Sequence, residues 1–407
     1  MNLVKMNEQV IIAGAGPVGL TAALALCLKN IPVTIVDSYK NVPTDPRAST
    51  FHPPTMELLE SIGVTEQMKK GGTIVDKWQY RDRKKGLIAE FNLGILSDIT
   101  KYPYRLHFEQ HKYAQLLLSK VEKFEHATVI KNATVINTEQ NEDFAKIIFK
   151  NEYEEKQILG KFLIGADGGK SVVRNNLDVE FKGLTFPERF LVLTTPFNFK
   201  PYGFSGTCYI ADPNEWCSMF NVPANGPPGR WRIVFPEKSN RPEKKLFDDQ
   251  ECQNRLQNFF PNPKGDMYNI IHKNIYQVHQ RIASKFRVGR IFLAGDAAHI
   301  NNPLGGMGLN FGIHDALNLS DKIYKFIHKQ DNEQIFDLYD RQRRTVAKEY
   351  LLAQTAQNKR DLEENEPSER EKRHKEWQEI ANNHEKSKSF LLRTAMFEST
   401  ERARNIN

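Results

Sequence analysis

The sequence predicts an α/β protein: a parallel-sheet domain, interrupted by an inserted antiparallel β-sheet and followed by C-terminal helices. Three observations predict it. An apolar run, Gln9-Val10-Ile11-Ile12-Ala13, leads through a glycine-rich turn into a helical stretch. Two later apolar runs, 157–164 and 289–294, end in Gly-Ala-Asp and Gly-Asp turns. Segments 72–94 and 183–236 look different, with aromatic-rich alternation broken by turns.

The first run is aliphatic throughout, as a parallel strand covered on both faces should be. Residues 17–29 have helical composition, and Asn30 and Pro32 stop that helix. Val33-Thr34-Ile35-Val36-Asp37 reads as the next strand. The turn between them, Gly14-Ala15-Gly16-Pro17-Val18-Gly19, fits G-x-G-x-x-G. Gly14 permits the tight turn, Gly16 lets the backbone approach a pyrophosphate, and Gly19 lets helix and strand pack closely. Pro17 suits the first helical turn. The helix N-terminus offers free N–H groups and partial positive charge to a phosphate. Asp37 stands 23 residues past Gly14, where a carboxylate can accept from ribose hydroxyls. Strand, turn, helix and acid together predict a Rossmann-type dinucleotide site. They do not choose between NAD and FAD.

In the inserted sheet, Thr207–Ile210, Glu215–Val222 and Arg230–Phe235 read as strands, with turns at 211–214 and 223–227. Lys84-Lys85-Gly86 reads as a hairpin turn. The expected division is 1–72, 96–182 and 270–330 for the nucleotide domain, 73–95 and 183–269 for the substrate domain, and 331–407 for a helical segment. Ser368-Glu369-Arg370-Glu371 resembles a capping box, and the charges from Lys359 to Lys388 read as a solvated helical face.

Bulk properties narrow the function. The chain has 407 residues, 40% hydrophobic and 26% charged, with net charge +7. That excess is mild, and no basic run with interleaved aromatics predicts nucleic-acid binding. No stretch reaches the roughly 20 apolar residues of a spanning helix, and Gly14, Gly16, Pro17 and Gly19 interrupt the N-terminal run. No membrane association and a cytoplasmic location are expected, and residues 389–407 are too polar for an apolar terminal helix. Cys27, Cys208, Cys217 and Cys252 form no Cys-x-x-Cys pair and read as reduced thiols, although Cys208 and Cys217 could face each other across a hairpin. The histidines show no metal-ligand spacing, so no metal is expected, and no Gly-x-Ser-x-Gly elbow supports hydrolase chemistry.

Two further motifs carry more information. One is Gly165-Ala166-Asp167-Gly168-Gly169, running to Arg174. The other is Gly295-Asp296-Ala297-Ala298-His299, followed by Pro303-Leu304-Gly305-Gly306-Met307-Gly308-Leu309-Asn310 and a helix. Either Asp alone would read as a helix cap. Two such turns, in this order after a nucleotide turn, resemble the class A FAD-dependent aromatic monooxygenases, the family of p-hydroxybenzoate and 3-(3-hydroxyphenyl)propionate hydroxylases. The resemblance runs from about residue 8 to the last helix.

It implies FAD as cofactor, with Gly14, Gly16, Gly19 and Asp37 on the ADP half. It implies Arg47 near the cofactor, Gln110 and Asp296 on the ribityl side, and Asp167 in a motif shared between FAD and nicotinamide. Pro303, Gly308, Leu309 and Asn310 fall in the run beside the flavin, where a helix N-terminus would stabilise negative charge on the ring. Many relatives carry Gln in place of Met307, and Glu-Arg in place of Asp37-Ser38.

The implied activity is hydroxylation of a phenol-like aromatic by NADPH or NADH and O2, through a flavin C4a-hydroperoxide. With one glycine motif visible, the nicotinamide is expected to bind transiently. Tyr209, Trp216, Met219, Phe220 and Arg232 are candidate substrate contacts from the sheet. Tyr104, Arg105 and His107 are candidates from the segment before Gln110. For each, packing in a half-buried sheet is the commoner role. A His or Tyr base is possible, but the sequence names none. For His299, a structural role is expected. Oxidation of a non-phenolic antibiotic or quinone precursor, a non-catalytic flavoprotein and a flavin halogenase stay open, although Arg230-Trp231-Arg232-Ile233 lacks the first tryptophan of the halogenase segment. Oligomeric state does not follow from the sequence.

Overall fold

The computed structural model describes residues 8–45, 47–237, 240–262 and 265–407. Val10–Ala13 is wholly buried and lies in the middle of a six-stranded sheet. In spatial order the strands are Arg287–Val288, Ile291–Leu293, Phe162–Gly165, Val10–Ala13, Val33–Val36 and Ala127–Ile130. All neighbours run parallel except the Arg287–Val288 pair. Ala13 stands level with Val36 and Gly165, and Gly165 with Leu293. The three glycine-rich motifs therefore leave the sheet at one edge, the carboxyl ends of the strands, where open α/β sheets bind ligands.

Helix Pro17–Cys27 packs against this sheet and against the 20-residue helix Gly308–Ile327. Gly14 sits at φ +104°, a conformation that favours glycine. A Cβ on Gly19 would come within 2.0 Å of the Gly14 carbonyl oxygen, so the helix can lie this close only without a side chain there.

The second layer is an eight-stranded sheet in the order His299–Ile300, His272–Ala283, Phe181–Thr195, Arg230–Glu237, Cys217–Val222, Thr207–Ala211, Lys77–Asp82, Gly86–Asn92. It is antiparallel except at one seam, where Thr207–Ala211 runs parallel to Lys77–Asp82. No hairpin joins these two segments, so nothing forces them antiparallel. One face packs Leu191, Met219, Ile233 and Phe235 against helix Asp249–Phe259. Part of the other face is covered by C-terminal helices, with Tyr80 stacked on Trp377 at 4.9 Å.

Several expectations need correction. The run 157–164 is two strands, not one. Glu155–Gly160 closes a three-stranded ribbon with Thr134–Gln140 and Ala145–Lys150, and Phe162–Gly165 enters the parallel sheet. The break falls at Lys161, just after Gly160, whose Cβ would sit 2.7 Å from the Gln9 carbonyl. The antiparallel sheet extends past residue 269, because His272–Ala283 pairs along Phe181–Thr195. The expected capping box is not formed. Helix Pro367–Asn382 begins at Pro367 with Glu366 before it, and the Ser368 hydroxyl bonds Glu366 instead. That helix is not wholly solvated either, since it buries His374 and Trp377. All four cysteines are buried and free; Cys208 pairs in register with Met219, not Cys217.

Candidate functional site

A cavity of about 950 Å3 runs from the carboxyl edge of the parallel sheet to the uncovered part of the antiparallel sheet. Its first end is built by the glycine turn: Gly14, Ala15, Gly16, Pro17 and Val18 line it, with Asp37 beside them. Nothing lies within 4 Å of where a Gly16 Cβ would stand, so the backbone there faces open lumen. The helix behind it has no side-chain cap and no acidic residue in its first turn. Its positive end is thus directed into the cavity without internal compensation. Asp37 Oδ2 accepts from Ala15 N at 2.6 Å and Oδ1 from Tyr39 N at 2.7 Å, which fixes the carboxylate at the lumen.

The middle of the cavity is lined by Arg47, Gln110, Asp167 and Asp296. Pro46, beside Arg47, lies outside the described residues. Asp167 Oδ2 accepts from Val173 N at 3.1 Å, whereas Oδ1 is buried without a partner. Burial pushes the Asp167 carboxyl up, against the hydrogen bond from Val173 N that favours its anion. Asp296 opens onto the lumen yet is ringed by protein, and this burial raises its carboxyl, with His299 and Arg47 opposing. Arg174 stitches the second motif to the third. It donates to the carbonyls of Gly169 at 2.9 Å and Ala297 at 3.0 Å and lies over the Phe181 ring.

Pro303, Gly306, Met307, Gly308 and Leu309 line the far end. Helix Gly308–Ile327 starts there without a side-chain cap. Asn310 does not line the cavity. Its side chain is fully buried, donating to the carbonyls of Thr50 and Gly306 and accepting from His52 N. It braces the loop. His52 Nε2 contacts the Gly305 carbonyl at 3.0 Å, and Gly305 N donates to the Tyr209 hydroxyl at 3.1 Å. His299 is buried under the Gly-Asp turn with Nε2 2.7 Å from Asp315 Oδ2, a structural place.

Strand parity sorts the substrate candidates. Phe220 and Arg232 face the cavity, with Val192, Val234, Tyr276 and Val278. Met219, adjacent to Phe220, points to the opposite face and packs with Trp231 and Ile233. Trp216 shares the parity of Phe220 but lies beyond the strand's start. It is sealed by Phe190, donates from Nε1 to Glu363 at 2.8 Å and is not among the residues that line the lumen. Tyr209 is buried as a loop anchor and Tyr104 packs at the domain core. Arg105 and His107 are buried outside the lining. His107 bonds the Asn221 carbonyl at 2.6 Å and Thr207 Oγ1 at 3.2 Å, and burial pushes it down to about 4.

Asn274, Tyr276 and Val278, absent from the sequence candidates, occupy the wall at alternate positions of His272–Ala283. Among the described residues there is no group of three or more His, Cys, Asp or Glu that could hold a metal, and no helix long and apolar enough to cross a membrane.

The residues fit FAD. An elongated lumen has an uncompensated helix N-terminus and a fixed carboxylate at one end. It has an orphaned buried carboxylate oxygen midway and a second uncapped helix beside an apolar wall at the other. Comparison with known proteins agrees. Residues 7–354 match the model of the FAD binding domain family. The chain is 29% identical over 390 residues to para-nitrophenol 4-monooxygenase of a Pseudomonas species, covering 95% of this chain and 94% of that protein. It is 30% identical over 367 residues to 6-hydroxy-3-succinoylpyridine 3-monooxygenase of Pseudomonas putida, covering 89% and 91%. The crystal structure of a Pseudomonas putida p-nitrophenol 4-monooxygenase superposes with a TM-score of 0.89 at 27% identity, covering 96% of this chain and 98% of that one. With its motifs at one sheet edge and its cavity running to the second sheet, the chain belongs to the FAD-dependent aromatic monooxygenase family.

Proposed function

We propose that this chain holds FAD along the cavity and uses NADPH or NADH and O2 to insert one oxygen atom into a small phenol-like aromatic. The observation that carries this reading is the single lumen joining the glycine turn to the wall formed by Val192, Phe220, Val234 and Tyr276. The relatives named above, one acting on a nitrophenol and one on a hydroxypyridine, support it.

On this reading the start of helix Pro17–Cys27 faces the pyrophosphate and Asp37 the adenosine ribose. Arg47, Gln110, Asp167 and Asp296 flank the middle of the cofactor. Pro303 and the N–H groups of Gly308 and Leu309 lie at the ring end, with the helix dipole directed at developing negative charge. FAD, when bound, supplies the redox and oxygen-transfer chemistry that side chains lack. The wall residues exclude water, which protects against uncoupled release of peroxide. Burial raises the Tyr276 phenol, which keeps it a neutral hydrogen-bond donor at pH 7. A cytoplasmic location agrees with four buried free thiols.

The test is turnover of FAD-loaded protein with a phenol panel under 18O2. Stimulated NAD(P)H oxidation with one 18O atom in the product is the expected result. NAD(P)H oxidation that no aromatic stimulates, with no labelled product, overturns the reading.

A further inference from the structure

The turn 303–306 stands at the far end of the cavity, with Pro303 and Gly306 on the lumen and Leu304 and Gly305 outside the lining. The Pro303 carbonyl accepts from Gly306 N at 3.0 Å, and Gly305, third in the turn, has φ +107°. That is the pattern of a type II turn, which differs from type I by a half-rotation of its central peptide. Here the central peptide joins Leu304 to Gly305.

A trans peptide points its C=O and N–H to opposite sides, and a side chain holds each. Leu304 O accepts from Asn358 Nδ2 at 3.0 Å, and Gly305 N donates to the Tyr209 hydroxyl at 3.1 Å. Gln354 Nε2 donates to Asn358 Oδ1 at 2.8 Å, which leaves the Asn358 NH2 facing the carbonyl. The flanking groups are held as well. Asn302 Oδ1 accepts from Leu304 N at 3.1 Å, His52 Nε2 donates to the Gly305 carbonyl at 3.0 Å, and Asn310 donates to the Gly306 carbonyl at 2.7 Å.

One side of this clasp belongs to the C-terminal segment. The π-helical stretch Ala347–Leu352 leads into helix Ala353–Glu363, and its widened turns re-register the face beyond it. Leu352, Thr355 and Asn358 follow at three-residue spacing on that face. They meet the site in order. Leu352 O accepts from Gln280 Nε2 at 2.8 Å, Thr355 O from Asn302 Nδ2 at 2.9 Å, and Asn358 donates to Leu304 O. None of the three lines the lumen.

A half-rotation of the Leu304–Gly305 peptide would break both of its bonds at once and reverse a dipole of about 3.5 D at this end of the cavity. We propose that Asn358, with Tyr209 opposite it, is a positioning residue that locks this peptide in one orientation and so fixes the electrostatics met by the ring of FAD. The C-terminal helix is then a working part of the cofactor site. The inference rests on the proposed reading for the end of the cavity at which the ring lies.

The test is the two-electron midpoint potential of FAD bound to the full chain, measured without substrate. Asn358→Leu keeps the size and removes the donor. It should change the ratio of affinities for reduced and oxidised FAD about three- to tenfold, the reach of one hydrogen bond, which is about 15–30 mV for two electrons. Tyr209→Phe should do the same from the other side. The double variant should shift no further than the larger single, because both act through one peptide. Trp377→Phe loosens the stack on Tyr80, away from the turn; it should lower Tm and leave the potential in place. An Asn358→Leu protein with the wild-type potential overturns the inference. So do single shifts that add in the double variant, or a Trp377→Phe shift as large as that of Asn358→Leu, which would mean general loosening. If Asn358→Leu does not load FAD, Tyr209→Phe decides alone, and an unshifted potential there overturns the lock. A shifted potential in protein that inserts no oxygen sinks the oxygenase reading and leaves the lock standing.

Discussion

Asp315 accepts from His299 Nε2 at 2.7 Å at full burial, directly beneath the Gly295-Asp296 turn. The same carboxylate accepts from Gly295 N at 3.0 Å and Arg343 Nε at 2.6 Å. Burial alone would raise Asp315, but His299 and Arg343 outweigh it and hold it down to about 2. Removing the charge by Asp315→Asn leaves Arg343 buried and unpaired, which should cost about 3–5 kcal/mol. Urea unfolding measures it. The folded value lies below the ordinary 3.8, so this contribution is complete above about pH 4 and disappears as pH falls towards 2. The variant should lose that part of the acid dependence.

Three other buried groups act in the same direction at higher pH. Burial pushes His107 down to about 4, His314 down to about 3 and His52 well below its ordinary value. Each is neutral in the fold and protonates in the unfolded chain below about pH 6.5. The unfolded state then binds more protons, so stability falls as pH drops from 6.5 towards 4, by about 1.4 kcal/mol per pH unit for each group. His314→Gln should flatten a profile of Tm against pH by up to one such increment. An unchanged slope would show that the fold does not lower the His314 imidazole.

Two glycines of one motif should fail in different ways. Gly19→Ala drives a methyl group into the Gly14 carbonyl and should lower Tm sharply even without cofactor. Gly16→Ala meets only lumen and should leave the unfolding of cofactor-free protein unchanged while weakening FAD at least about tenfold, because the helix N-terminus no longer admits a phosphate. Fluorescence titration with FAD, alongside thermal melts, separates the two.

Trp216 should prove structural. Trp216→Ala empties a fully buried site and should cost about 3–5 kcal/mol. Trp216→Phe should cost about 1 kcal/mol for the lost bond to Glu363. Substrate KM should not move in the Phe variant, whereas Phe220→Ala should raise it.

What the sequence made legible was local. Gly14–Gly19 with Asp37, and the turns at Asp167 and Asp296, each lie close in sequence to the strand they follow, so spacing alone conveys their geometry. Parity was harder to read. Met219 and Phe220 are neighbours, and only the strand's pairing with Thr207–Ala211 and Arg230–Glu237 decides which faces the lumen. Asn274, Tyr276 and Val278 lie in a stretch with no clean alternation, His272–Ala283, whose face is set by a partner strand some eighty residues earlier. The ribbon at 134–160 was missed because Thr134, Asn137, Glu139 and Lys146 interrupt its apolar positions.

The paired strands Phe181–Thr195 and His272–Ala283 have a mechanical consequence. At one end Phe181 pairs with Ala283 beside the core of the parallel layer, and at the other Thr194 pairs with His272 deep in the second sheet. The ribbon is a girder spanning both halves, interrupted only by the irregularity between Thr185 and Arg189. Prising the halves apart would flex that girder, so traffic into the lumen has to pass through its rims rather than by a clamshell motion.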